Sequence, residues 1–282
     1  MNNMSKIKIV TDSAAHVANA DIRAYNIYVL NPPILIDGRV FGYVNKISSE
    51  KFLQLFDSGK NKPVIGDISV ADLTETYNKL GEDGSQILSI HLSDKMSSSY
   101  NNAKTAASKS TTDVTVLNSQ VTAAGLAYQV LKAAKMIKEG KIIKDILPEL
   151  AKVRDNTRIF FSVRNNQQIV NNRIITKLQG FLGKHANTAY MLAFKGNDFR
   201  LVAHGSKDES LNEFWKTQIA HMHDECIVQL SILHSGTSTR AQFLRSMLTE
   251  EFPFVPISVV PTNPEMTTFI GRNSTGVTYL LG

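Results

Sequence analysis

Four serines fall within seven residues in "HLSDKMSSSYNNAKTAA" (91–107), where Ser93 is followed by Ser97, Ser98 and Ser99. The apolar run "QILSIHL" (86–92) reads as a buried strand and "SYNNAKTAAS" as a helix, so the hydroxyls sit at a strand-to-helix passage. A helix start offers free N–H groups, and serine hydroxyls beside it add donors without adding charge. That set suits one carboxylate better than a triphosphate, and no G-x-x-x-x-G-K-[ST] segment is present. The competing reading makes Ser97 a plain helix cap, a role for which serine is among the preferred residues.

Two further strand ends share this character. "KIKIV" (6–10) runs into Thr11-Asp12-Ser13, and "DVTVLNS" (113–119) ends on Asn118-Ser119. Ligands of open parallel sheets lie beyond the carboxyl ends of the strands, where strand order reverses, so these ends belong in one argument. Asp12 alone cannot make the oxygen-rich site of Mg²⁺ or Ca²⁺ and reads as an acceptor that orients loop donors.

Other chemistries find less support. A nucleophilic serine needs a histidine base and an orienting group, or the G-x-S-x-G turn, and neither is recognisable. In "HSGTSTR" (234–240) Thr237 or Ser238 is explained as a helix cap. His221 and His223 in "HMHDEC" stand two apart, which on a helix turns them away from each other. No metal site and no cofactor are expected. The stripe Leu211, Phe214, Trp215, Ile219 and Met222 has helical spacing and reads as core rather than as an aromatic cofactor box.

The elements that must position these residues alternate. Strands at 6–10 and 26–30, a hairpin excursion through "NPPILIDGRVFGY", helices at 48–59 and 69–84, and strands at 86–92 and 113–119 lead to helices at 122–140 and 142–156. A second set follows: strand 157–163, helices within 165–183, a hairpin over 189–204 turning at Lys195-Gly196-Asn197, helix 207–223, strand 226–234, a helix from Thr237, and strands 256–260 and 276–281. The expected fold is α/β in two domains: residues 1–155 a mostly parallel sheet flanked by helices, residues 156–282 an α+β sheet with helices.

Composition agrees with an ordinary globular chain, 43 % hydrophobic and 20 % charged over 282 residues. The net charge of +6 divides evenly, with 19 basic against 16 acidic residues in 1–157 and 12 against 9 in 158–282. Nucleic-acid binders concentrate such charge with aromatics, so no nucleic-acid partner is expected. The lone Cys226, the absence of an apolar leader and the absence of any long apolar run point to a cytoplasmic protein that does not span a membrane.

"KIVTDSAAHV", "LSDKMSSSYNNA", "VTVLNSQVTAAGLAYQV", "IFFSVRNNQQIVNNRI" and "ILHSGTSTRAQFL" fall in the order and spacing of the DegV family, which the chain resembles over nearly its whole length. Members of that family resemble the fatty-acid-binding subunit of bacterial fatty acid kinase. The resemblance implies a two-domain protein that encloses a long-chain fatty acid in an apolar tunnel, its carboxylate at the hydroxyl cluster between the domains. It also implies a separate kinase as partner and no catalysis by the chain itself. Ser97 matches the carboxylate-binding serine of the L-S-G-T-Y pattern, with Ser98 and Ser99 for Gly and Thr. Thr11, Asp12 and Ser13 keep the T-D-S motif, Ser119 keeps its place after Asn118, and Arg173 in "NNRI" matches the G-G-R-I arginine.

The chain also departs from the pattern. "VIGDIS" (64–69) replaces T-S-Q-P and removes a second carboxylate hydroxyl; "AYML" replaces K-P-I-L. "GRNSTGV" (271–277) replaces G-x-H-x-G-P-G-A, with Asn273 nearest the missing histidine. These changes bear on the partner's phosphorylation more than on binding. A second reading is an enzyme acting on a small carboxylate or phosphate, with Asp12 as general base and Arg173 as anion clamp.

Overall fold

The computed structural model describes residues 6–57, 63–164, 188–205, 208–236 and 238–282. They divide into two compact units, Met1–Lys46 with Ile65–Asp155, and Ile47–Val64 with Asn156–Gly282. The helices expected within 165–183, and Arg173 with them, lie outside the described residues.

The chain begins with β1 (Ile7–Asp12), α1 (Asn19–Tyr25), β2 (Tyr28–Leu30), β3 (Pro33–Ile36) and β4 (Arg39–Tyr43). Then come α2 (Ser49–Asp57), β5 (Val64–Ile65), α3 (Val70–Gly81), β6 (Gln86–His91), α4 (Ser99–Lys109), β7 (Val114–Asn118), α5 (Ala124–Lys138) and α6 (Ile143–Asp155). β3 and β4 close through Asp37-Gly38, both at positive φ (52° and 73°), the tight turn an Asp-Gly pair favours between strands.

In the first unit four strands pair in parallel in the order β2-β1-β6-β7. From β1 the chain winds outward to β2, and from β6 outward to β7, so the order reverses between β1 and β6. Open sheets bind ligands beyond such a reversal because the two loops there diverge and leave a crevice. Val10, Ile87, Leu73, Tyr77, Ala103 and Ala106 form one buried cluster, joining α3 and α4 to β1 and β6. α5 also packs on β1 and β6 and buries ten residues. Each large aliphatic side chain so buried contributes about 1.5–3 kcal/mol.

The second unit continues with β8 (Thr157–Val163), β9 (Ala189–Lys195), β10 (Asp198–Gly205) and α7 (Asp208–Met222), then β11 (Ile227–Ser235), α8 (Thr239–Glu251), β12 (Ile257–Pro261), α9 (Pro264–Ile270) and β13 (Ser274–Leu281). Its six strands lie in the order β10-β9-β8-β13-β11-β12, antiparallel throughout except for β11 with β12. The α7 stripe is core: Leu211, Trp215, Ile219 and Met222 are buried with Phe160, Leu230 and Leu244, and Phe214 packs against them. Trp215 stands edge-on to Phe160 at 5.9 Å between centroids.

The two-domain α/β plan is present, with helices α1 and α9 beyond the elements expected. No helix among the described residues is long and apolar enough to cross a membrane.

Candidate functional site

The carboxyl ends of β1, β6 and β7 stand side by side, since Thr11 pairs with Ile90 and His91 with Asn118 across the sheet. At the centre is Asp12, 2 % exposed. Its Oδ2 accepts the Leu92 N–H at 2.6 Å and its Oδ1 lies 2.9 Å from His91 Nδ1. His91 Nε2 is 2.7 Å from Ser89 Oγ, which is 2.8 Å from the Tyr77 hydroxyl. All four side chains are buried.

One order of protons leaves none without an acceptor. Tyr77 donates to Ser89, Ser89 donates to His91 Nε2, and Nδ1–H donates to Asp12. A doubly protonated ring makes Ser89 its acceptor and leaves one hydroxyl proton, that of Ser89 or of Tyr77, without a partner in this chain of bonds. Burial pushes the Tyr77 phenol up to about 12, against the pull of the Ser89 bond, with a smaller upward push from Asp12.

Ser89, His91 and Asp12 therefore make a Ser-His-Asp arrangement, contrary to the expectation that none exists. Its sequence signal is Ile87-Ser89-His91: alternate residues of a strand share a face, so two polar side chains fall on a face buried against α3. The arrangement cannot attack a substrate. Ser89 and His91 are 0 % exposed, and the serine oxygen is held between Tyr77 and His91. The same burial removes Asp12 from the role of general base, because both its oxygens are engaged and no substrate proton can reach them.

The hydroxyls around Asp12 divide by what they bind. Thr11 donates to Ile90 O at 2.8 Å. Ser119, 1 % exposed, donates to Val121 O and accepts the Val121 N–H, while its carbonyl accepts from Gln129 Nε2. Asn118 Oδ1 accepts the Gln120 N–H at 3.0 Å. These groups fasten the turns that follow β1 and β7. Ser13 opens the short turn of 3₁₀-helix after β1. Ser98 donates to Asp67, a residue of the "VIGDIS" segment that takes up this hydroxyl.

Ser97 and Ser99 remain, half-buried at the start of α4. Ser97 Oγ accepts the Ser99 N–H at 3.1 Å and lies 2.8 Å from Ser99 Oγ. Ser97 thus satisfies an early helical N–H, while Ser98 at the N-cap position makes no side-chain cap. Two hydroxyls share one bond between them, so one O–H proton has no acceptor among the described residues. The pair is a neutral donor at a helix start, beside the sheet's reversal point.

Asn273 belongs to the second unit, in left-handed backbone (φ 56°), exposed, its N–H donated to Ser235 O at 2.7 Å. No group of His, Cys, Asp or Glu among the described residues could hold a metal ion.

Among relatives, the chain is 29 % identical over 271 residues to a DegV domain-containing protein of Streptococcus pneumoniae, covering 96 % of this chain and 97 % of that one. Its fold matches that of DegV from Bacillus subtilis, described as a fatty acid binding protein (TM-score 0.86, 18 % identity, 99 % and 100 % of the two chains). It also matches a DegV family protein from Thermus thermophilus, described for its fatty acid binding (TM-score 0.87, 22 % identity, 98 % and 100 %). The family model for DegV proteins aligns with residues 6–281, from the first strand to the last, and the chain belongs to the DegV family.

Proposed function

We propose that the protein binds a long-chain fatty acid and that the Ser97–Ser99 hydroxyl pair donates to its carboxylate. The observation that carries this reading is the hydroxyl proton left without an acceptor among the described residues at the start of α4. A neutral donor avoids the cost of burying an ion pair, which often cancels the attraction it brings. Asp12, Thr11 and Ser119 hold the surrounding turns in place, and Ser13 joins them in the motif. The acyl chain occupies an apolar tunnel, where each buried methylene contributes about 0.8 kcal/mol. The fatty acid binding described for the Bacillus subtilis and Thermus thermophilus proteins supports this reading.

The chain performs no chemistry in this reading; it carries the acid in the cytoplasm and presents it to a separate fatty acid kinase. The roles given to Arg173 and Asn273 by the family pattern are part of the same proposal. Organic extraction of the purified full chain, followed by mass spectrometry, is expected to release a long-chain fatty acid. Delipidated protein is expected to rebind it, with affinity falling as the acid is shortened and on esterification of the carboxylate. Delipidated protein that takes up no fatty acid, or that binds the methyl ester as well as the acid, overturns the reading.

A further inference from the structure

The segment that follows β5 is fastened on both sides of Asp67. Gly66 N–H donates to Pro33 O at 2.8 Å, Ile68 O accepts from Asn102 Nδ2 at 3.0 Å, and Ser69 Oγ accepts the Asp72 N–H to cap α3. Ile68 also packs against the buried cluster that joins α3 and α4 to β1 and β6. The carboxylate is therefore set at the first turn of α4, where its Oδ1 accepts the Ser98 hydroxyl proton.

α4 has no acidic residue in its own first turn. Asp67 brings one there from another segment, 31 residues before Ser98, and a negative charge is favoured at a helix start. It also stands beside the Ser97–Ser99 pair, because Ser98 lies between those two serines in the chain. The other charges of this stretch are Asp94 and Lys95, of opposite sign in the loop before α4, and Lys104 further along the helix, whose ammonium lies 5.6 Å from the Tyr100 ring centroid.

Coulomb repulsion rises in proportion to the charge of a head group. A fixed carboxylate thus penalises a dianion twice as much as another carboxylate, and an uncharged hydroxyl not at all. Asp67 is exposed, so water screens the repulsion and leaves it selective rather than prohibitive. With the Ser98 O–H committed to Asp67, the pair keeps one hydroxyl proton without an acceptor among the described residues, against the three acceptor oxygens of a phosphoryl group. We propose, on the fatty acid reading, that Asp67 is the specificity-determining residue of the Ser97–Ser99 site: it admits a head group with one negative charge or none and turns away a phosphoryl dianion, as in an alkyl or acyl phosphate.

The test titrates delipidated full-chain protein with tetradecanoic acid, tetradecanol and tetradecyl phosphate, matched in chain length, by calorimetry at about pH 8, where the phosphate is a dianion. The wild-type chain is expected to bind the acid more tightly than the phosphate. Asp67→Asn keeps the shape and the acceptor for Ser98 but removes the charge. It is expected to raise affinity about threefold for the acid and about tenfold for the phosphate, the square of the first gain, with the alcohol unchanged. Asp67→Glu keeps the charge and is expected to keep the wild-type ranking, and added salt is expected to narrow the gap between wild type and Asp67→Asn. A wild-type preference for the phosphate, an equal gain for all three ligands, no gain for the phosphate, or an Asp67→Glu chain that behaves as Asp67→Asn overturns the proposal. Wild-type protein that takes up none of the three overturns the fatty acid reading and this inference with it; uptake of the acid with indifference to Asp67→Asn overturns this inference alone.

Discussion

At the strand ends of the first unit, the buried polar side chains from Tyr77 through Ser89 and His91 to Asp12 are linked in one chain of hydrogen bonds, and the surplus is a single serine proton half-buried at α4. At the corresponding edge of the second unit Nε and Nη2 of Arg240 and the Ser235 hydroxyl are equally hidden from water, yet they meet no hydrogen-bond partner among the described residues. A closed network holds a loop in place and offers little charge, which suits a weak, singly charged head group. An open one leaves hidden polar atoms whose desolvation no hydrogen bond offsets.

The sharpest way to break this contrast is to open the closed network. Asp12→Ala leaves the Leu92 N–H and His91 Nδ1 buried without an acceptor, and is expected to cost about 3–5 kcal/mol in urea unfolding. If the loss is below about 1 kcal/mol, the network is not the fastening it is taken for. Ser97→Ala touches the one open donor instead. Fatty acid affinity is expected to fall about tenfold, with less than about 1 kcal/mol lost in stability. Unchanged affinity leaves Ser97 as a cap and nothing more.

Smaller effects sharpen the picture through pH. Tyr77 holds its proton up to about 12 when folded, against 10.0 in the unfolded chain, so its contribution is complete below pH 10 and is lost as pH rises toward 12. Tyr77→Phe is expected to cost about 1 kcal/mol at neutral pH and to make that alkaline decline shallower. Tyr128 and Tyr279, both pushed up chiefly by burial, keep the remaining slope. At the opposite end of β1 from Asp12, exposed Asp83 is held near 2 by bonds from Ser85 and Lys8, the latter at 3.0 Å. Its small contribution is present above pH 3.8 and lost as pH falls toward 2, and Asp83→Asn is expected to remove that acid-side step from a stability titration.

The sheet and helix order of the first unit was legible because apolar spacing changes from two to about 3.6 at each passage, and Asp37-Gly38 marks its hairpin plainly. α9 was legible too and was missed: Asn263 accepts the Met266 N–H and Pro264 opens the helix, a start signal on a helix too short to show periodicity. Ser97 and Asp12 stood out as strand-end residues, but their different duties follow from burial, which spacing does not report. His91 was hidden among apolar neighbours; only its shared face with Ser89 announced a partner. Arg240 resembled any helix-surface arginine, because the isolation of its Nε and Nη2 depends on what Asn212, 28 residues earlier, leaves uncovered.

Residues 47–64 belong to the second unit although the rest of that unit begins at 156, and α2 packs there on α9. Phe52, Leu53 and Phe56 on α2 and Met266 and Ile270 on α9 are all buried. During synthesis the apolar face of α2 leaves the ribosome about two hundred residues ahead of its partner, a separation that slows folding because a long loop must close before the contact forms. The second unit can finish only after its α9 and β13 have been made, and a piece beginning at 156 is born without one of its own helices.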